Sequence, residues 1–328
     1  MKGMEALHKR TLQPDLHDHR DHQFCDIHGH KSHHFCDDIS AHEEVQKALQ
    51  KIKAHLITKV DLREKLTSEI INQGLLNSCS ACAISVAAEL YLIKDQQPFI
   101  DENASNIDAS QMFVYYNERV IEGKVDLNVP VYIKDGIKSL FKNGICSEKS
   151  WPYPEMALPD DLMEVVRTGT LEEIQTEVAA LLTQHEPEIH AAIAERPSDA
   201  AITQAGKHII TRYCKLTADN NLDELKLALT KGMPFIFGMM VPKSFYSIST
   251  NGMMTMPSID EVRLGGHALL AVGFDDDKQV FIVRNSWGDE FGDNGYCYIP
   301  YKFFTSKFNG SNGEENNTFS YWCLTHDL

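Results

Sequence analysis

The stretch Asn72–Ser85, NQGLLNSCSACAIS, carries two cysteines, Cys79 and Cys82, separated by two residues. That spacing suits three chemistries: a redox dithiol, half of a tetrahedral zinc site, or one working thiol beside a bystander. Cys79 falls where a helix is expected to begin. There the dipole and the free N–H groups favour an anion and lower a thiol's pKa. A nucleophilic thiol also needs a base, and a group that orients the base. The C-terminal half offers both types, His267 in LGGHALLAVGFDD and Asn285 in FIVRNSWGDEFGDNGYCYIP. Each lies among small residues near the end of an expected strand, where a side chain can face a cleft. On type and spacing alone a triad is one reading among others, because a lone Cys, His or Asn is more often structural.

A second constellation lies near the N-terminus. Seven of the 15 histidines fall between His17 and His34, and a pseudo-repeat sets His22-Gln-Phe-Cys25-Asp beside His33-His34-Phe-Cys36-Asp. Imidazole and thiolate are good zinc ligands, so His22, Cys25, His33, His34 and Cys36 are candidate metal residues. The ten residues between the two cysteines match no compact zinc finger. The competing reading is an extension whose histidines are solvated.

The elements that must position these groups follow from periodicity. Val45, Leu49, Ile52 and Leu56 recur at helical spacing. TKVDLRE reads as a short extended lead-in. CSACAISVAAELYLIK reads as a helix with Ala83, Val86, Ala87 and Leu90 on one stripe. Further helices are expected over 109–123 and 134–143, and GICSEKSWPYP is a loop rich in breakers. Thr170-Leu-Glu-Glu173 is a capping box opening a helix with Leu171, Ile174, Val178 and Leu181 on one face. Pro187 ends that pattern and a second short helix follows, so 157–195 reads as a helical hairpin. From about residue 207 come short β-rich runs, HIITRYCKL, PFIFGMMV, HALLAVGF, QVFIVRNSW and GYCYIPY, separated by turn formers. Helices first and strands later argue an α+β fold, with a helical lobe and a sheet lobe.

Composition bounds the rest. A chain of 328 residues with 43% hydrophobic content can build one large domain or two lobes sharing a cleft. A formal net charge of −16 repels phosphate backbones, so nucleic acid is not an expected partner. No stretch approaches the length needed to span a bilayer, and no membrane association is expected. The opening MKGMEALHKRTLQPDL has no long apolar run, so it does not read as a signal peptide. The expected location is therefore cytoplasmic, or exported without a visible signal peptide, as for a secreted bacterial effector. The eight cysteines form no dense framework and are expected to be mostly reduced. Cys146, Cys214 and Cys323 have no partner visible in the sequence, and Cys297 in YCYIP reads as a buried small hydrophobe.

The blocks NQGLLNSC, GGHALLAVGF and RNSWGDEFGDNGY, in that order and separation, resemble the three active-site blocks of papain-like cysteine peptidases. The resemblance runs from about Val60 to the C-terminus, apart from 157–195. DASQMFVYYNERVIEG, DGIKSLFKNGICSEKSWPY and LALTKGMPFIFG resemble the bacterial branch. The resemblance implies a two-lobe fold, a helical lobe plus a β-barrel-like lobe with the active-site cleft between them. It implies hydrolysis of peptide or protein substrates through a thioester, with no cofactor. Cys79 is then the nucleophile, His267 the base and acid, and Asn285 the group holding the imidazole. Gln73 and the Cys79 N–H form the oxyanion hole, and Trp287 shields the Asn–His contact. Residues 57–328 become the catalytic domain, the 157–195 hairpin an insertion, and 1–56 an extension with a propeptide or regulatory role.

Three positions depart from the family pattern. Asn77 stands where the family usually has Gly, so its side chain is expected to narrow the approach to the cleft. Ser80 replaces an aromatic residue common in plant and animal members, and Leu76 replaces a disulfide cysteine of many secreted ones. Two rival readings are a catalytically silent peptide-binding protein and a thiol oxidoreductase using Cys79 and Cys82. The second leaves the His267 and Asn285 blocks unexplained.

Overall fold

The computed structural model describes residues 12, 14, 15, 50–52, 56–94, 107–156, 158–216, 218, 222–311 and 313–325. Strand β1 (Lys59–Asp61) leads in, and helix α1 (Cys79–Lys94) follows. α1 was expected to bury one stripe. It is instead buried on every side from Cys79 to Leu92. Its small residues, Ser80, Ala81, Ala83, Ser85, Ala87 and Ala88, make that possible, since neighbouring elements can approach on all faces.

Helices α2 (Gln111–Ile121) and α3 (Ile133–Asn143) pack on α1 and complete the helical lobe. The Ser110 hydroxyl caps α2 by accepting from the Phe113 N–H at 3.1 Å. Gly144 ends α3 at φ 71°. Where a hairpin was expected, three helices stand, α4 (Asp160–Thr168), α5 (Leu171–Gln184) and α6 (Glu186–Ala194). The capping box is formed at Thr170 and Glu173. Pro187 sits in the first turn of α6, where its missing N–H costs nothing. The additional helix α4 forms because Leu162 and Val166 find Ile174 of α5 and the flank of Tyr246 and Leu264. That tertiary pairing is invisible to local spacing. Helix α7 (Asp199–Ala205) leads into the sheet lobe.

The sheet lobe contains β2 (Tyr213–Leu216), α8 (Asp223–Thr230), β3 (Phe235–Pro242), β4 (Arg263–Asp275), β5 (Val280–Arg284), β6 (Tyr296–Pro300), the short helix α9 (Tyr301–Thr305), the small hairpin β7 (Lys307–Gly310) and β8 (Gly313–Asn316), and β9 (Thr318–Leu324). The antiparallel order is β2-β9-β3-β4-β5-β6, with β1 pairing the far end of β4. The lobe is an open, α+β sheet, and among the described strands β2 and β6 do not meet to close a barrel. β4 is buried from His267 to Asp275 because α1 covers one of its faces, so it reads as a near-continuous apolar run. One apolar cluster joins α1 to the sheet through residues such as Ile84, Leu92, Phe235 and Ala271. Cys297 is buried on alternating strand β6, as expected. Among the described residues no helix is long and apolar enough to cross a membrane.

Candidate active site

The parts of the site come from a helix start, a strand and the loops beside them. Cys79 is the first residue of α1 and 5% exposed. Its sulfur receives the N–H groups of Cys79 and Ser80 at the helix start and that of Ala268 on β4. The Ala268 contact brings the thiol to the strand position directly after His267. Burial outweighs these donors and pushes the Cys79 thiol up to about 11. The thiolate expected from the helix end alone is therefore not the resting form in this structure.

His267 stands on β4 opposite Met239, itself buried. Its Nε2 lies 2.8 Å from Asn285 Oδ1. The same oxygen accepts the Ser286 N–H at 2.8 Å, which fixes the amide with its acceptor toward the ring. Nε2 therefore donates in the neutral imidazole, and the lone pair is left on Nδ1. Burial pulls the His267 pKa down to about 4, against the raising effect of the Asn285 bond. Trp287 stacks on the imidazole at 4.9 Å and 25°. Tyr246 stacks on the same indole at 4.7 Å, and Phe245 and Phe291 both meet it edge-on. Gly288, at φ 79°, makes the turn that follows Trp287.

Gln73 is tied to the same corner. Its backbone N–H donates to Ser286 O at 2.9 Å, and its Oε1 accepts the Ser286 hydroxyl at 2.7 Å. Gln73 Nε2 donates to Leu76 O at 2.9 Å, which leaves its second hydrogen uncommitted by that bond. A bridge between Asn72 and Trp287 and the Gly288 N–H to Ile71 O clamp the two loops together. The structure thus brings Cys79, His267, Asn285, Gln73 and Trp287 to one junction between the lobes.

Other residues around the junction carry no motif signal. Asn128 accepts the Asn77 N–H on Oδ1 and the Asn77 side-chain amide on its carbonyl, each at 2.9 Å, and donates to Leu75 O. The Asn77 amide is therefore engaged with Asn128. Tyr153, in the breaker-rich loop, joins Ser78 Oγ and Gln73 O. Ser80 is accounted for by Glu118, whose Oε1 accepts its hydroxyl at 2.8 Å in full burial. Burial holds the Glu118 carboxyl well above the ordinary carboxylate range. Cys82 lines a small buried space with Ala268, Asn285 and Ser286. It is 3% exposed and lies 3.8 Å from Ser78 Oγ, and burial pushes its pKa far up.

A short piece of the N-terminal extension lies over this junction. Leu12 is 1% exposed, and a Cβ at Gly266 would collide with the Leu12 carbonyl. Only glycine allows so close an approach beside His267. Asp15 anchors the piece to both lobes. Its N–H donates to Ser320 Oγ at 2.9 Å, and its carboxylate accepts from Trp322 Nε1 at 2.7 Å and from the Lys134 N–H at 3.4 Å. The metal candidates His22, Cys25, His33, His34 and Cys36 lie outside the described residues. Among the described residues no group of three or more His, Cys, Asp or Glu is placed to hold a metal, and zinc has no support.

Comparison with known proteins follows the same lines. Residues 56–307 match the family described as papain family cysteine protease. An uncharacterized peptidase C1-like protein of Acanthamoeba polyphaga mimivirus is 32% identical over 287 residues, 85% of this chain and 78% of that protein. The crystal structure of xylellain, a cysteine protease from Xylella fastidiosa, aligns with a TM-score of 0.69 at 28% identity, over 98% of this chain and 97% of that one. Bromelain from Ananas comosus, in complex with E64, shares the fold at a TM-score of 0.53 and 16% identity, over 82% of this chain and 99% of its own. Because these relatives include a viral protein, the bacterial character expected from the sequence has no specific support.

Proposed function

The chain belongs to the papain family of cysteine proteases and is a cysteine peptidase, and from that premise we propose that it cleaves peptide bonds with Cys79, His267 and Asn285 through a thioester. The observation that carries this reading is the 2.8 Å contact from His267 Nε2 to Asn285 Oδ1, roofed by Trp287, beside a thiol at a helix start. With Nε2 committed to Asn285, Nδ1 takes the Cys79 proton. The thiolate attacks the substrate carbonyl, and the Cys79 N–H with the second hydrogen of Gln73 Nε2 steadies the oxyanion. The His267 imidazolium then protonates the leaving amine. The neutral ring next takes a proton from water, which attacks the thioester and frees Cys79.

The full chain, on this reading, is a covered form. Leu12 and Asp15 occupy the junction that substrate would enter, and burial there keeps the proton on sulfur and the imidazole neutral. Withdrawal of the piece admits water and substrate together, and hydration favours the charged thiolate–imidazolium pair. Residues 1–56 therefore act as a regulatory segment, and 57–328 as the catalytic domain. The helical unit at 157–195 is read as an insertion on its flank.

The test is digestion of a peptide library by the purified chain, with and without residues 1–56, against a Cys79→Ala control. Labelling by an epoxide inhibitor of thiol proteases is mapped in parallel. Cleavage and labelling that both vanish in Cys79→Ala are expected. Cleavage that persists in that variant overturns the mechanism. An intact cleft that binds peptides without turnover identifies the silent alternative.

A further inference from the structure

We infer that Cys214 and Cys323 form a site of disulfide modification that joins edge strand β2 to β9. The sequence shows no partner for either residue, because 109 positions separate them. The sheet register makes them partners: Cys214 stands directly across from Cys323 in the antiparallel β2–β9 ladder. Their sulfurs lie 2.8 Å apart, and both residues are fully buried. Directly opposed residues in such a ladder have Cα atoms roughly 4.5–5.5 Å apart, inside the roughly 4.4–6.8 Å that a disulfide requires. The backbone is thus already at bonding separation, and only a small side-chain rotation is needed. Cys146 and Cys297, also buried, have no such cross-strand thiol partner among the described residues.

The oxidant is a low-molecular-weight disulfide such as glutathione disulfide. The Cys214 thiolate attacks one of its sulfurs, forming a mixed disulfide and expelling one glutathione thiolate. The Cys323 thiolate then attacks the Cys214 sulfur and expels the second. Two protein thiols are oxidised, one small disulfide is reduced, and the two protein protons end on the two glutathione thiols. In a reducing compartment both residues stay thiols; in an oxidising one the bond forms.

Position gives the bond its consequence. β2 is an outer strand, and its ladder partner is β9. β9 also carries Ser320 and Trp322, which hold Asp15. A bond at Cys323 therefore fastens the outer strand to the strand that seats the N-terminal piece. It closes a long chain loop, the situation in which a cross-link constrains the unfolded state most.

The test uses the full-length chain in a glutathione disulfide–glutathione couple, in two arms. One arm treats the folded protein, and the other oxidises the chain as it refolds from urea, so that burial does not limit access. Remaining thiols are alkylated under denaturing conditions, and a non-reduced digest is mapped by mass spectrometry. The expected product is one cross-linked species containing the Cys214 and Cys323 peptides, lighter by two hydrogens than their sum and lost on reduction. Oxidation should also raise the melting temperature by about 5 °C or more, reversed by dithiothreitol and absent in Cys214→Ala. Any bond between Cys79 and Cys82 is scored separately on the same map, since it shares no peptide with this pair. Alkylation of both Cys214 and Cys323 in both arms overturns the inference, as does a cross-link of either one to a different cysteine.

Discussion

Shortening Leu12 to alanine is expected to activate the full-length chain. Leu12 is 1% exposed and belongs to the same apolar cluster as Ile133, Leu269 and Trp322. Burying a leucine side chain is worth roughly 1.5–3 kcal/mol, and most of that resides in the isopropyl group that alanine lacks. A loss of about 2 kcal/mol, at tenfold per ~1.4 kcal/mol, moves the covered-to-open ratio by roughly 30-fold. The Asp15 bonds to Ser320, Trp322 and Lys134 remain, so the piece is loosened and not expelled. The assay is initial-rate hydrolysis of a fluorogenic peptide far below KM, normalised to sites titrated with the epoxide. kcat/KM should rise by up to about 30-fold in the full chain. The chain lacking residues 1–56 should gain at least as much over the full chain. Asp15→Ala should act in the same direction. A Leu12→Ala chain that melts like its parent and keeps kcat/KM within about twofold would falsify the covering role.

Loss of the reacting groups should separate by role. Cys79→Ala and His267→Ala remove nearly all turnover, whereas Asn285→Ala, which alters only orientation, leaves a remnant on the order of 1% of kcat. Stability should carry the mark of the buried imidazole. His267 titrates near 6.5 when unfolded and at about 4 when folded, so between those values the unfolded chain binds the extra proton. Folding stability therefore falls as pH drops through that window, by about 3 kcal/mol from this group. The buried carboxyls of Glu89, Glu148 and Asp135, held above the ordinary range, pull the other way, so the effect is read as a difference: across pH 4–7 the urea-melt stability of the parent should fall relative to that of His267→Ala, and equal slopes in both proteins refute the assignment. Limiting iodoacetamide at pH 6 should label Cys79 only slowly in the full chain and faster in Leu12→Ala, with Cys82 modified only after denaturation. Equal labelling of the two cysteines contradicts the reading of one working thiol beside a bystander. Asn77→Gly should cost about 1 kcal/mol in a urea melt, by releasing the side-chain bond to Asn128, without speeding turnover. A large gain in kcat/KM would show instead that Asn77 obstructs the cleft.

Much of the local structure was legible along the chain. The capping box at Thr170 and Glu173, the breaker-rich loop that contains Tyr153 and the β-rich runs after residue 207 are properties of neighbours a few positions apart. Backbone hydrogen bonding and rotamer preference act at that range, so composition reports them faithfully. The small-residue character of α1 was legible too, although its burial on all sides was not, because that depends on what packs against it. The candidate residues Cys79, His267, Asn285, Gln73 and Trp287 stood out as motif blocks. Asn128, Tyr153, Glu118 and Leu12 did not, since each acts through partners remote in sequence.

What the sequence by itself determined is therefore the set of element types, the α+β order and the residues able to do chemistry. Tertiary structure alone decided their electrostatic state and their cover. The helix start by itself favours a Cys79 thiolate, yet enclosure raises the thiol to about 11 and lowers the imidazole to about 4. The Cys214–Cys323 pairing belongs to the β2–β9 register, and the hold on Leu12 and Asp15 belongs to Gly266, Lys134, Ser320 and Trp322. The reason is one of range. Desolvation and long-range pairing depend on which groups enclose an atom, and here the enclosing groups come from positions up to 307 residues away, as between Asp15 and Trp322.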